Sequence, residues 1–265
     1  MDHNEGVIFL LHSSKTMRSI SGGAAKTAAP EFLAQARELA KYIKSLSVVE
    51  IAAVMKVSPA LAEKTKTLIG SWSSAPGKES PAIDSFLGDI YSGVQAHDLN
   101  RRDRNFAQKH LRIISGLYGV LKPLDGIAPY RLEMGYRLPD DRYRNLYSFW
   151  GDSLAQRMQG EDIINLSSGE YGNAVLPYVG DVEVVTPKFL SVSMKTKEPT
   201  FVVVHAKIAR GACSHWLIKN RVQSFDDLKM FDEIGYKYNK KLSTPSEPVF
   251  VAKEFGGLGL SVRLS

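Results

Sequence analysis

Gly6-Val-Ile-Phe-Leu-Leu11 is a continuous apolar run near the start of the chain, and it decides the fold class. A strand without polar alternation is typical of a sheet that is covered on both faces. The polar residues His12-Ser-Ser-Lys-Thr16 follow directly and predict a loop where the strand ends. A buried strand that leads into a polar loop indicates a central sheet flanked by helices.

Apolar periodicity predicts the elements around this strand. Three helices are expected between residues 31 and 72, because Ser47-Val-Val-Glu50 has the form of a capping box and Ser58-Pro59 places an N-cap before a first-turn proline. Two longer helices are expected over Phe106–Tyr118 and Ala206–Arg221. Further strands are expected over Ile163–Leu166, Val182–Val185, Phe201–Val204 and Val249–Val251.

These elements predict an α/β protein of the mixed α+β kind, with a central mixed sheet covered by helices, in one domain over residues 1–265. The strand at Gly6–Leu11 is expected to pair with the strands near Phe201 and Val249, since each is too apolar for an exposed edge. The helices between residues 31 and 72 also match the rough dimensions of a helix-turn-helix DNA reader. Capped consecutive helices are common packing units, so the packing interpretation is preferred.

Composition and charge limit the classes of function. The longest apolar runs are far shorter than the about 20 residues of a membrane-spanning helix, and Asp2 and Glu5 lie where a secretion signal carries positive charge. Neither a membrane segment nor export is expected. Cys213 is the only cysteine, which excludes an internal disulfide and fits a reducing cytoplasm. The net charge of +6 and the isoelectric point near 9.2 favour an anionic partner, such as nucleic acid, a nucleotide or an acidic metabolite.

A series of motifs in the last two thirds of the chain gives the most specific signal. They are Phe86-Leu-Gly-Asp-Ile-Tyr-Ser-Gly93, Leu111-Arg-Ile-Ile-Ser-Gly-Leu-Tyr-Gly-Val-Leu-Lys-Pro-Leu-Asp125, Pro129-Tyr-Arg-Leu-Glu-Met-Gly135, Leu146-Tyr-Ser-Phe-Trp-Gly-Asp152, Ile164-Asn-Leu-Ser-Ser168 with Glu170-Tyr171, and Ala206-Lys-Ile-Ala-Arg-Gly211 with Asn220-Arg221. From residue 86 onward this series resembles the bacterial peroxide stress protein YaaA family, and the first 80 residues match it loosely. The resemblance implies a YaaA-like mixed fold with a basic cleft and a helix-hairpin-helix-like element. It also implies DNA binding and protection from hydrogen peroxide and iron damage, without an accepted catalytic reaction.

Cations in and near these motifs form a candidate anion site. Lys207, Arg210 and Gly211 fall at a predicted junction between a strand and a helix, where the exposed N–H groups of a helix N-terminus bind phosphate. The residues expected to bind nucleic acid or another anion are Lys15, Arg131, Lys207, Arg210, Gly211, Lys219 and Arg221. The alternative that these cations only solvate a helix face stays open.

Histidines and carboxylates support an alternative function, an enzyme that acts on an anionic small molecule such as a nucleotide or an amino-acid derivative. Histidine transfers protons near neutral pH, and a carboxylate beside an arginine stays ionised. Arg131 and Glu133 would share one face if their segment is extended. The residues that would take acid–base roles are His12, Glu133, Asp152, Glu170 and His205.

Three positions depart from the family pattern. The family usually has a Ser-Pro-Ala-Lys-Thr-like turn where this chain has His12-Ser-Ser-Lys-Thr16, an aromatic residue in place of His205, and an acidic residue in place of Gly169. Both histidines are expected to follow strands and to open into one cleft. Drift at positions that accept any polar ring is the competing explanation. A metal site built on these histidines lacks short-range ligand spacing, so no metal is predicted. No cofactor and no obligate protein partner are predicted either.

Overall fold

The structure is a computed structural model that describes residues 6–18, 27–75, 77, 79–139 and 144–258. Its strands are β1 (Val7–His12), β2 (Thr16–Met17), β3 (Ser80–Pro81), β4 (Phe86–Leu87), β5 (Leu111–Ser115), β6 (Gly119–Leu121), β7 (Gly126–Ile127), β8 (Asp162–Asn165), β9 (Val184–Val185), β10 (Lys188–Val192), β11 (Pro199–Thr200), β12 (Tyr236–Tyr238) and β13 (Val249–Ala252). Its helices are α1 (Leu33–Ser45), α2 (Val48–Met55), α3 (Pro59–Ser71), α4 (Ala82–Ser85), α5 (Asp89–Val94), α6 (Arg101–His110), α7 (Leu146–Trp150), α8 (Gly169–Gly172), α9 (Val203–Lys219) and α10 (Phe225–Leu228). The mixed α/β class predicted from the sequence is confirmed.

A five-stranded sheet in the order β6-β5-β1-β8-β9 contains the predicted first strand at its centre. β1 runs parallel to β5 and β8, with Leu10 beside Arg112 on one side and Asn165 on the other. Its first five residues are buried, as the unbroken apolar run predicts. Because β1, β5 and β8 are parallel, their carboxyl ends meet at one edge of the sheet, which we call the carboxyl edge.

A separate four-stranded sheet in the order β11-β10-β13-β12 contains the late strand at Val249. The prediction that this strand and Phe201 pair with Gly6–Leu11 is therefore wrong. β13 pairs in parallel with β10, and Phe201 lies in no strand because α9 begins two residues later. The short apolar run at Phe201–Val204 fits a strand and a helix start equally well by periodicity alone.

Helix α9 packs against both sheets. Trp216 stacks edge-on with Phe231, whose ring in turn meets Phe189 of the four-stranded sheet. Ten of the seventeen residues of α9 are buried, so it is a core helix with little amphipathic contrast. At its crossing with α5, a Cβ on Gly211 would collide with the carbonyl oxygen of Ile90, so this approach requires glycine.

The three predicted helices between residues 31 and 72 are confirmed as α1, α2 and α3. Ser47 and Glu50 form the predicted capping box, and Ser58 accepts a hydrogen bond from the N–H of Leu61 before the first-turn Pro59. None of the helices in the described part of the chain has the length and apolarity that a membrane span requires.

The predicted helix over Phe106–Tyr118 is wrong in its second half. α6 ends at His110, and the chain continues directly as the buried parallel strand β5 from Leu111. A strand that is buried on both faces has no alternation, so its apolar residues also fit helical spacing.

Candidate anion-binding site

The carboxyl edge of the five-stranded sheet collects most of the polar motifs. The loop from His12 to Lys15 leaves β1 there, and Ser167 and Ser168 lead from β8 into α8. Ser115 ends β5 and shares a 2.6 Å hydrogen bond with the hydroxyl of Tyr130. Open α/β sheets commonly bind ligands at the carboxyl ends of their strands.

Glu133 is the buried carboxylate of this site, with 6% of its surface exposed. The ammonium of Lys15 lies 2.8 Å from Oε2, and Nη2 of Arg131 lies 3.9 Å from Oε1. The hydroxyl of Tyr136 donates to Oε1 at 2.6 Å, and burial together with this carboxylate raises the pKa of Tyr136. The structure therefore brings three sequence-predicted residues, Lys15, Arg131 and Glu133, into one cluster.

Glu170 of α8 links this helix to the segment that carries Glu133. Its Oε1 accepts a 2.8 Å hydrogen bond from the backbone N–H of Gly135, and Tyr147 donates to its carbonyl oxygen at 2.8 Å. The neighbouring Gly169 is exposed, and a Cβ there would meet open space. A methyl group at position 169 would therefore fit without rearrangement.

His12 is the histidine that the carboxyl edge holds. Its Nδ1 donates to the carbonyl oxygen of Ser13 at 2.8 Å, which leaves Nε2 as the acceptor nitrogen. The ring stacks on Tyr171, with centroids 4.6 Å apart and planes 7° apart. The pKa of His12 is lowered to about 4, chiefly by burial and also by the charges of Arg210 and Lys207, against the opposing effect of the hydrogen bond to Ser13. Nε2 is buried and has no hydrogen-bond partner in the part of the chain that the structure describes.

A network of buried hydroxyl groups orients the loop after β1, and the sequence analysis did not assign it to the site. Tyr91 of α5 donates to the carbonyl oxygen of His12 at 3.0 Å. Ser13 donates to the hydroxyl of Tyr171 at 3.4 Å, and burial raises the pKa of Tyr171 well above its ordinary value. The only available signal was that Tyr91, Tyr130 and Tyr171 all fall inside the quoted motifs.

Lys207 and Arg210 lie on α9, but not where the sequence predicted. α9 begins at Val203, so both residues stand inside the helix and no junction between a strand and a helix exposes N–H groups beside them. Gly211 receives the backbone of Ile90 and not a ligand. Lys207 is exposed, whereas Arg210 is half-buried, and burial lowers the pKa of Arg210.

Lys219 and Arg221 belong to a different place in the fold. Lys219 lies 3.0 Å from Oδ2 of Asp103, and Arg221 lies 3.0 Å from Oδ1. Asp103 is only 2% exposed; burial would raise its pKa, but the hydrogen bonds from the two cations lower it. Twelve residues of helix separate Lys207 from Lys219, a distance of about 18 Å. The expected cation set therefore divides into two groups.

The contacts of His205 and Asp152 in the described residues are with other side chains than those of the Lys15, Arg131 and Glu133 cluster. His205 shares a 2.9 Å hydrogen bond with Ser191 of the four-stranded sheet and stacks on Phe255 at 3.8 Å. It is about 200° around α9 from Lys207, which is close to the opposite face of the helix. Asp152 is exposed and accepts a hydrogen bond from Gln156 in its own turn. No contact among the described residues joins His205 to His12, so their common cleft stays a prediction.

The described residues contain neither a cluster of metal ligands nor an exposed thiol. Within those ranges, no three histidine, cysteine or acidic side chains come together as metal ligands. Cys213 is buried inside α9, and burial raises the pKa of its thiol.

The fold and the loop cluster define a mixed α/β protein with a polar carboxyl edge, and comparison with known proteins places it in a family. A family model described as peroxide stress protein YaaA matches residues 7–242. A UPF0246 protein of Salinispora tropica is 52% identical over 258 residues, which is 97% of this chain and 98% of the relative. UPF0246 proteins of a Marinomonas species and of Roseobacter denitrificans are 40% and 41% identical, over 93% and 84% of this chain and 97% and 89% of their own lengths. The chain belongs to the YaaA peroxide stress protein family, and the family model also matches residues 7–80, within the N-terminal part that resembles the family only loosely by its motifs.

Proposed function

We propose that this protein contributes to peroxide stress protection in the cytoplasm by binding nucleic acid, with backbone phosphates held at the carboxyl edge. The observation that carries this proposal is the lack of a counter-ion for Arg210. Arg210 is half-buried, burial lowers its pKa, and no carboxylate of the described residues lies within ion-pair distance of its guanidinium. Burying a charge without a counter-ion is costly, and an anionic ligand would remove that cost.

The surrounding charges support the same ligand class. Lys15, Arg131, Lys207 and Arg210 are four cations, whereas the carboxylates of the site are Glu133 and Glu170. Arg131 also has a buried Nε without a hydrogen-bond partner among the residues described. A site with excess positive charge and unpaired guanidinium donors suits phosphate, because arginine binds phosphate through several parallel N–H groups.

A salt titration of DNA binding tests the proposal. Binding should weaken steeply from low to moderate salt, because each cation that replaces a condensed counterion loses the entropy of its release as salt rises. Lys207→Gln with Arg210→Gln should reduce the slope of log affinity against log salt by about one to two. The matched control is Lys240→Gln with Lys241→Gln, two exposed lysines beyond β12, which should keep the slope. If the protein does not bind DNA at low salt, the proposal is refuted.

A second candidate function is an enzyme that acts on an anionic small molecule, and His12 is the specific observation in its favour. A neutral imidazole beside two cations suits a general base that works on an anion. Glu133 and Glu170 contribute to the same cluster, whereas His205 contacts Ser191 and Asp152 contacts Gln156. Turnover of a nucleotide or amino-acid derivative that is lost in His12→Phe and kept in His205→Phe would establish this function.

A further inference from the structure

We propose that the carboxyl edge selects a terminal phosphate monoester over the internal diesters of a nucleic-acid strand, with Nε2 of His12 accepting a hydrogen bond from the P–O–H group of that phosphate. This inference rests on the proposed function, because it requires an anion beside Arg210. It names the form of phosphate that the site prefers. A strand end and a free nucleotide share this chemistry.

The orientation of His12 is the first step. Its Nδ1 donates to the carbonyl oxygen of Ser13 at 2.8 Å, so the neutral ring carries its proton there. Tyr171 stacks on one face of the ring, and Tyr91 holds the backbone of His12 through its carbonyl oxygen. Nε2 is thus fixed as a hydrogen-bond acceptor, and its orientation is set before a ligand arrives.

The lack of a partner for Nε2 is the second step. The atom is buried, and no donor of the described residues reaches it. A buried polar atom without a partner is destabilising and is uncommon in native proteins. A ligand that presents an O–H or N–H group to Nε2 would satisfy it.

The neighbouring charges restrict what that ligand can be. Lys207 and Arg210 both act on the His12 ring, and both favour an anion. The ligand must therefore combine negative charge with a hydrogen-bond donor close to that charge. Protonation of His12 itself is an unfavourable alternative, because burial and both cations oppose a further positive charge there.

A phosphate monoester meets both requirements. Its second ionisation falls near pH 6, so at about pH 6 half of it carries one proton that it can donate to Nε2, while its remaining oxygens are free for the cations. An internal phosphodiester has no such proton, and its oxygens would face the lone pair of Nε2. A site built to pair a donor rejects a ligand that lacks it, since the buried group is then left unpaired.

Paired ligands that differ in one phosphate test the inference on the full chain. The probes are a short labelled DNA single strand with a 5′-phosphate and the same strand with a 5′-hydroxyl. Adenosine 5′-monophosphate and inorganic phosphate serve as free competitors. The phosphorylated strand should bind about 10- to 100-fold more tightly, which is the range for one hydrogen bond to a charged group. The imidazole ¹⁵N spectrum should show the signal of His12 Nε2 shifting when the monophosphate is added.

His12→Phe should bring the two affinities to within about threefold, because phenylalanine keeps the stacking on Tyr171 and lacks the acceptor. His205→Phe is the matched control and should keep the preference. Thermal melts establish that each variant is folded, and the ¹⁵N experiment on the unsubstituted protein decides the matter if His12→Phe does not fold.

The possible failures are distinguishable. Equal affinity for the two strands, or a preference that survives in His12→Phe, overturns this inference and leaves nucleic-acid binding in place. Binding of adenosine monophosphate without binding of either strand overturns the proposed function and supports the monoester preference. If neither strands nor free phosphates bind, both are overturned.

Discussion

Gly211 of α9 lies directly against the carbonyl oxygen of Ile90 in α5, closer than any side chain would allow. This contact bears on the proposed anion site, because the two helices carry residues next to the same histidine. α5 supplies Tyr91, which holds the backbone of His12, and α9 supplies Arg210, whose charge acts on the His12 ring. The packing of two backbones thus sets the position of a cation relative to a histidine from a distant part of the chain.

Gly211→Ala should therefore destabilise the protein. The added methyl collides with backbone rather than with a flexible side chain, so the helices must separate, at a cost of about 3 kcal/mol in the free energy of unfolding. Urea unfolding measures this change. Gly169→Ala is the matched control, because its Cβ meets open space and should change stability by less than about 0.5 kcal/mol. Equal stabilities of the two variants would contradict the packing argument.

The pKa of His12 predicts how stability depends on pH. In the folded protein this pKa is about 4, below the value of about 6.5 in the unfolded chain. The unfolded chain therefore takes up the proton first as pH falls. Stability from this group is complete above pH 6.5 and is lost between 6.5 and 4, by up to about 3 kcal/mol. Urea unfolding over this pH range should show a shallower decline for His12→Phe than for the unsubstituted protein.

Asp125 titrates in the same pH range and must be separated from the effect of His12. Burial raises its pKa to about 6, so its contribution to stability has the opposite sign and falls as pH rises. Both proteins contain Asp125, so it cancels in the difference between them. Identical pH profiles for His12→Phe and the unsubstituted chain would show that the imidazole is not held neutral by its surroundings.

Asp103 should act as a structural counter-ion for Lys219 and Arg221. Asp103→Ala removes the shared carboxylate and the capping bond to the N–H of Asn100, and it should cost about 3 kcal/mol in the free energy of unfolding. Asp226→Ala breaks an exposed pair with Lys229 and is the matched control, with an expected change below about 1 kcal/mol. Chemical denaturation of both variants makes the comparison. If Asp103→Ala lowers the free energy of unfolding no more than the control does, Asp103 is not the structural counter-ion, and Lys219 and Arg221 remain candidate ligand-binding cations.

Local patterns predicted the local elements well. The unbroken apolar run of β1 and the caps at Ser47 and Ser58 identify a buried strand and two helix starts, because each signal lies within a few neighbouring residues. Sheet partners were not predictable in this way. β13 pairs with β10, and nothing in the sequence of either strand excludes pairing with β1, since pairing depends on contacts between distant segments.

The candidate site was likewise predictable only where the signal was local. Lys15, Arg131 and Glu133 were named from the sequence and do meet. Lys219 was named with them only because it is a cation on the same helix as Lys207. The partner that binds it, Asp103, lies more than one hundred residues earlier in the chain and carries no local signal of that pairing.

Cys213 should take no direct part in the response to peroxide. The thiolate is the form that peroxide oxidises, and burial raises the pKa of Cys213, so the native protein contains very little of it. Native protein exposed to hydrogen peroxide should therefore show no labelling of Cys213 by a sulfenic-acid reagent in intact-mass spectra, whereas the same protein in urea should be labelled. Cys213→Ala should match the unsubstituted protein in DNA affinity before and after peroxide treatment. Labelling of Cys213 in the native state would assign the peroxide response to thiol chemistry within the core. Its absence would agree with the proposed role of the carboxyl edge, in which Arg210 and His12 bind an anion without thiol chemistry.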